Sequence, residues 1–187
     1  MSETKKVLRF FTPDNYEKEE AFLTEMSRKG WHFIRFKVFV YEFEKGQPMN
    51  YVYKLDYKRD KKEDKDNYLA MFKDCGWENI YEFRMLGGVW EYFRKISDTG
   101  EDQLFTDNES KIDLLVRIRR GYIFIAIFFL GINMANLANL ISIFERGYFI
   151  SFTFIFILYT FVIYLYVKIF VRISMKISKL RKAVTND

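Results

Sequence analysis

Two uncharged runs lie almost back to back in the C-terminal half of the chain: Tyr122–Phe144, twenty-three residues, and Tyr148–Val167, twenty residues. At about 1.5 Å per residue, either run makes a helix of roughly 30 Å or more, the thickness of a bilayer's hydrocarbon core. Two such helices side by side leave no polar face for water. A two-helix transmembrane hairpin is therefore expected, with spans at 121–144 and 148–167, turned by Glu145-Arg146-Gly147. Lys111, Arg117, Arg119 and Arg120 precede the first run, and Lys168, Arg172, Lys176, Lys179, Arg181 and Lys182 follow the second. The turn carries one Arg balanced by one Glu. By the positive-inside rule this predicts a multi-pass protein of the cell membrane with both termini cytoplasmic. The N-terminal Met1–Lys6 has no apolar stretch behind it, so no cleavable signal is expected.

Within the first run, Asn133, Asn136 and Asn139 fall on an arc of about 120° at about 100° per residue. With Gly131, Ala135, Ala138 and Ser142 they read as a stripe of small and amide side chains for helix packing or homo-oligomerisation. A polar path for a solute is the other reading of that stripe. Neither run contains an ionisable Asp, Glu, Lys, Arg or His, which argues against proton relay or ion coupling.

The net charge of +5 is unevenly distributed. Residues 1–110 carry 19 Lys/Arg against 22 Asp/Glu, and residues 111–187 carry 11 against 3. The basic character thus belongs to the membrane-proximal segment, and the slightly acidic N-terminal part is a poor nucleic-acid surface. The tail 168–187 alternates Lys168, Arg172, Lys176 and Lys179 with Ile169, Ile173, Ile177 and Leu180 at helical spacing, a pattern expected to lie along anionic lipid headgroups.

Residues 1–97 read as a cytoplasmic α+β domain built on an internal repeat. Met26–Trp31 and Phe72–Trp77 are two helix endings of the form Gly-Trp, 46 residues apart. A Gly after the last helical turn takes the left-handed conformation, and the next apolar residue folds back on that turn. The helices are expected to start at Thr12-Pro13 or Asp14 with Glu17, and at Asp60 with Glu63. Strand-like runs cover Lys6–Phe11, Trp31–Glu44, Asn50–Lys58, Trp77–Arg84 and, past a Gly87-Gly88 turn, Val89–Ile96. The resulting β-α-β-β-α-β order predicts a ferredoxin-like domain with an extra C-terminal strand, helices on one sheet face and the other face open. A polar linker and a juxtamembrane amphipathic helix fill 98–120.

The run Trp31–Glu44 is apolar on both faces, which requires a cover on both. Trp31, His32, Phe39, Tyr41 and Phe43 are therefore the candidate partner surface, offered to a second copy of the chain or to another membrane or regulatory protein. No catalytic constellation stands out. His32 is the only histidine and Cys75 the only cysteine, which excludes an intramolecular disulfide. Cys75 closes an amphipathic helix and reads as core. Glu17, Glu19, Glu20, Glu63, Asp64 and Asp66 lie in first helical turns, where a solvated face accounts for them. No cofactor and no metal are expected.

Phe11–Asn15 with Glu19-Glu20, Lys29–His32, Tyr51–Tyr57, Cys75–Glu78, Trp90–Lys95 and Leu104–Lys111 together resemble the DUF2812 family of uncharacterised bacterial proteins, over about residues 5–111. The resemblance implies C-terminal membrane spans and no catalytic residues. Family members resemble products encoded beside PadR-like transcription regulators, which implies a regulatory role. The expectation is a non-enzymatic, membrane-tethered regulatory or interaction module. The alternative is a small-ligand sensor or an accessory subunit of a membrane transport complex.

Overall fold

The computed structural model describes residues 3–37, 39–58, 65–85, 88–97, 108–146 and 148–186; side chains of 133–140, 143 and 186 lie outside that description. The expected second-helix cap at Asp60 and Glu63 and the linker 98–107 fall outside it too.

The N-terminal part is a repeated β-α-β-β unit. The first copy is β1 (Thr4–Leu8), α1 (Tyr16–Arg28), β2 (Trp31–Lys37) and β3 (Val40–Lys45). The second is β4 (Tyr51–Lys58), α2 (Lys65–Asp74), β5 (Glu78–Met85) and β6 (Gly88–Ile96). Each copy forms its own antiparallel three-stranded sheet with its last strand in the middle: β1-β3-β2 and β4-β6-β5. This corrects the ferredoxin-like expectation of one sheet. The cause is local. Trp31–Glu44 is not one strand but a hairpin, with Lys37 opposite Val40 and two residues between them. Phe39 turns the chain with φ 66°, a conformation that two-residue hairpins require and that a bulky side chain rarely supplies. A register shift between Phe33 and Arg35 then re-aims the apolar residues. Phe33, Tyr41 and Phe43 are thereby all brought into one core, where they are 3%, 2% and 0% exposed. The two apolar faces of a single strand become one face of a folded ribbon.

The left-handed glycines of both Gly-Trp corners are as expected, and the fold-back of the Trp onto the last helical turn is seen at the second. Gly30 and Gly76 have φ of 78° and 80°, and the Trp77 N–H donates to the Phe72 carbonyl at 2.9 Å. Trp77 packs with Phe72, Val52 and Phe93 under α2. The other face of the second sheet presents Tyr53, Leu55, Tyr57, Trp90 and Tyr92 to the main core. The second sheet is covered on both faces, so the expected open face does not exist there. Phe33 meets Tyr92 with ring centroids 5.2 Å apart, and Phe36 meets Phe83 at 5.3 Å; these rings join the two sheets.

Strand β4 is an edge, and edge strands need their free N–H and C=O groups satisfied or covered. Helix α1 does this with side chains one turn apart. Thr24 Oγ1 accepts the Tyr53 N–H at 3.2 Å, and Glu20 Oε1 accepts the Leu55 N–H at 2.9 Å. Glu19 points the other way, accepting from Tyr41 of the first sheet and Tyr92 of the second, both at 2.8 Å. Glu19 and Glu20 are thus buried pieces of the inter-repeat joint, not a solvated face. Burial outweighs those hydrogen bonds and raises the carboxyl pKa of each. Cys75, expected in the core, is exposed.

Two long helices complete the chain, α3 (Asn108–Glu145) and α4 (Phe149–Asn186). They run antiparallel: Tyr122 meets Tyr166 with centroids 5.1 Å apart, and Phe144 meets Phe149 at 5.4 Å. The juxtamembrane helix and the first apolar run are one helix, as are the second run and the basic tail. Among the described residues one helix, Phe149–Thr185, is long and apolar enough to cross a membrane. Large apolar side chains point outward along it: Ile150 is 88% exposed and Phe154 70%.

Candidate functional site

The domain meets the helix pair along a seam that begins where α1 leaves β4 uncovered. Beyond Leu55, helix α3 takes over the edge: Arg117 donates through Nε to the Tyr57 carbonyl at 2.8 Å and through Nη2 to Asp56 Oδ1 at 2.6 Å. The other oxygen of Asp56 accepts from Tyr68 of α2 at 2.8 Å. A carboxylate on a strand interior is costly unless paired and hydrogen-bonded, and Asp56 is held from both sides. Next to it Gly121 lets α3 close on the strand. A Cβ there would run into the Tyr57 hydroxyl, so any side chain would push the helix off the sheet.

Helix α4 reaches the first repeat through a second set of contacts. The short 3-10 turn Pro13–Asn15 places Asp14 against it. Arg172 Nη1 lies 3.5 Å from Asp14 Oδ2, Lys176 Nζ donates to the Asp14 carbonyl at 3.4 Å, and Lys176 also pairs with Glu17. Asp14 is therefore not a helix cap: its carboxylate faces α4, and its Oδ1 is buried without a hydrogen-bond partner. The Lys176 ammonium sits 5.1 Å from the Tyr16 ring centroid. Tyr16 is raised in pKa by burial first and by Glu17 and Glu20 next, so it stays a neutral ring for that ammonium.

Apolar packing underlies the charges. Leu114, Leu115 and Ile118 of α3 and Ile173 and Ile177 of α4 are buried in the same cluster as Tyr16, Leu23 and Tyr57. The apolar face expected in the headgroup layer is therefore spent on the domain. Of the basic residues beside it, Arg172 meets Asp14 and Lys176 meets Glu17.

The sequence-derived candidates divide clearly. Tyr41 and Phe43 are core residues and leave the partner surface. His32 is tied internally, its Nδ1 3.0 Å from Ser27 Oγ and its Nε2 2.9 Å from the Gln47 carbonyl. It fixes the loop that follows β3. Trp31 is half-buried between Lys5 and Lys45, whose ammonium groups lie 5.2 and 5.7 Å from its ring. Phe39 alone stands out at a hairpin tip, 46% exposed, edge-on to exposed Phe10 at 5.1 Å and near Leu8. Phe10 and Leu8 belong to this patch and were not singled out by periodicity, since β1 is a short edge strand.

Of the expected stripe, Asn133, Ala135, Asn136, Ala138 and Asn139 have side chains outside the described residues. A Cβ on Gly131 would meet nothing within 4 Å. Among the described residues no group of three or more His, Cys, Asp or Glu is placed to hold a metal ion. What the seam can do is mechanical and electrostatic: it couples the position of the domain to the ends of two helices.

A family model described as "Protein of unknown function (DUF2812)" matches residues 15–127, which takes in most of both repeats and the start of α3. No curated protein and no solved structure matches the chain.

Proposed function

The chain belongs to the DUF2812 family, and from that premise we propose that it is a membrane-tethered cytoplasmic interaction module without chemistry of its own. In this reading α3 and α4 cross the bilayer as a hairpin with both chain ends in the cytoplasm. The outward-facing apolar side chains on both helices support the crossing, since a surface of that size is not left to water. Lys168, one residue past the apolar run, meets anionic headgroups. A regulatory partner docks at the Leu8, Phe10 and Phe39 patch.

The observation that carries the proposal is the seam. Arg117, Arg172 and Lys176 tie the domain to both helices by carboxylates on both repeats. Displacing the domain therefore displaces the helix ends, and a rearrangement of the helices is felt by the domain. A tether alone would need only a flexible linker.

The test has two parts. Tags at both termini should resist external protease in intact cells. An affinity-tagged chain purified from solubilised membranes should retain a regulatory protein that Phe39→Ser and Phe10→Ser release without lowering the melting temperature. Surface labelling of either end refutes the orientation. A second reading, a small-ligand sensor, is favoured by one feature, a basic groove between the helix ends.

A further inference from the structure

We propose that the groove between the cytoplasmic ends of α3 and α4 binds a soluble anion bearing more than one phosphate group. The groove has a volume of about 390 Å³, a size suited to a small molecule rather than a polypeptide face. Arg119 enters it from α3; Arg181 and Lys182 enter from α4. Ser174, Ser178 and Thr185 line the same face of α4, spaced 4 and 7 residues apart, so their hydroxyls fall in a row beside the cations.

The charge is uncompensated. Three neighbouring cations are neutralised, Arg117 by Asp56, Arg172 by Asp14 and Lys176 by Glu17, while exposed Arg120 and Lys179 do not line the groove. Among the described residues Arg119, Arg181 and Lys182 have no carboxylate partner, and no acidic residue lines the groove. Helix-dipole compensation does not account for them, because no basic residue lies in the last turn of α4. Three like charges converging on one hollow repel one another unless an anion joins them. Guanidinium groups offer phosphate two parallel donors, and hydroxyls complete the remaining oxygens.

Position selects the source of the phosphate, and this step rests on the two-span reading. Ser174 lies about 10 Å and Arg181 about 21 Å along the helix from Val167, the end of the apolar run. A headgroup layer is only about 5–7 Å deep on each side, and a tilt of up to about 40° still leaves Arg181 about 16 Å away. Lipid phosphates reach Arg119, only about 5 Å along α3 from the start of the apolar run at Tyr122, but they do not reach Arg181. A dissolved polyphosphate or phosphorylated metabolite does. Bridging Arg119 to Arg181, it would lock the helix ends beneath the domain.

The test uses the full chain in nanodiscs of phosphatidylcholine, titrated calorimetrically with inorganic pyrophosphate and tripolyphosphate. Saturable binding is expected, weakened about tenfold or more by Arg181→Gln and by Arg119→Gln, and unchanged by Lys168→Gln. Arg119→Lys should retain part of the affinity, and unaltered thermal melts show that the variants are folded. Absence of saturable binding overturns the proposal. Equal weakening by Lys168→Gln overturns it too, because the attraction would be diffuse. Binding only in nanodiscs containing phosphatidylglycerol, with none to the dissolved probes, overturns the assignment to a soluble anion. The dissolved probes report on the groove whether or not both helices span, so failure of the topology test leaves this one readable.

Discussion

Ile173→Ala isolates the docking of the α4 tail from electrostatics. Ile173 has no exposed surface and sits in the cluster shared by α1, α3 and β4. Emptying a buried Ile to Ala costs about 2–5 kcal/mol. For a domain of this size each kcal/mol lowers Tm by roughly 4–8 °C, so the shift should be at least about 8 °C. The assay is intrinsic fluorescence of the full chain in nanodiscs during heating. All three tryptophans, Trp31, Trp77 and Trp90, lie in the α+β domain, so the signal reports the domain although the substitution lies in the tail. Met175→Ala, two residues away and 59% exposed, is the control and should change stability by less than about 0.5 kcal/mol. Equal and negligible shifts for the two variants would show that the tail does not pack on the domain.

Three further outcomes follow from the geometry. Gly30→Ala should destabilise more than Gly76→Ala: both suffer the left-handed strain of about 1–2 kcal/mol, but a Cβ at Gly30 lies 2.8 Å from the Gly46 carbonyl oxygen whereas one at Gly76 meets only the flexible Lys95 side chain at 3.4 Å; equal melting temperatures would refute the asymmetry. Glu19 has its folded pKa raised above 4.5, so the native state holds its proton to higher pH than the unfolded chain, and its contribution to stability is fully present below about pH 4.5 and lost as pH rises through the raised value. Glu19→Gln should therefore gain stability relative to the parent as pH rises toward neutrality, and denaturant midpoints with a constant offset would refute this. A double-mutant cycle on Arg117 and Asp56 should give a coupling of about 1.5–3 kcal/mol, the range for a charge-assisted hydrogen bond; zero coupling would remove that contact from the seam.

The elements that announce themselves by local chemistry were readable in advance. The paired Gly-Trp corners, α1, strand β4 and the two long helices all follow from periodicity and from the left-handed glycines. The hairpin at Phe39 was not, because its turn has no Gly, Asn, Asp or Pro and the flanking residues continue an unbroken strand pattern. Missing it merged β2 with β3 and suggested one sheet where two form. Glu19 and Glu20 were misread because first-turn acids satisfy the helix dipole equally well exposed or buried; only Tyr41, Tyr92 and the edge of β4, far along the chain, reveal their partners. The tail was ambiguous in the same way. An Ile/Lys helix fits anionic lipid and an acidic domain alike, and the deciding residues, Asp14 and Glu17, lie more than 150 positions away. The hollow at Arg119 is a property of two helices together and has no signature in either alone.

The account rests on the domain being seated on the helix ends, and a thiol cross-link reads that directly. In a chain whose Cys75 is replaced by Ser, Glu17→Cys and Lys176→Cys put thiols on the two facing positions that an ion pair of long side chains now bridges between α1 and α4, too far apart for a disulfide but within reach of a short bis-maleimide. Adding that reagent to native membranes should close the intramolecular link rapidly and nearly completely, giving a band of altered mobility. Glu17→Cys paired with Lys179→Cys, which is exposed and has no partner among the described residues, should close far more slowly. If the first pair fails to close while both of its thiols remain open to a soluble maleimide, the domain hangs free of the helices and the seam does not exist in the membrane.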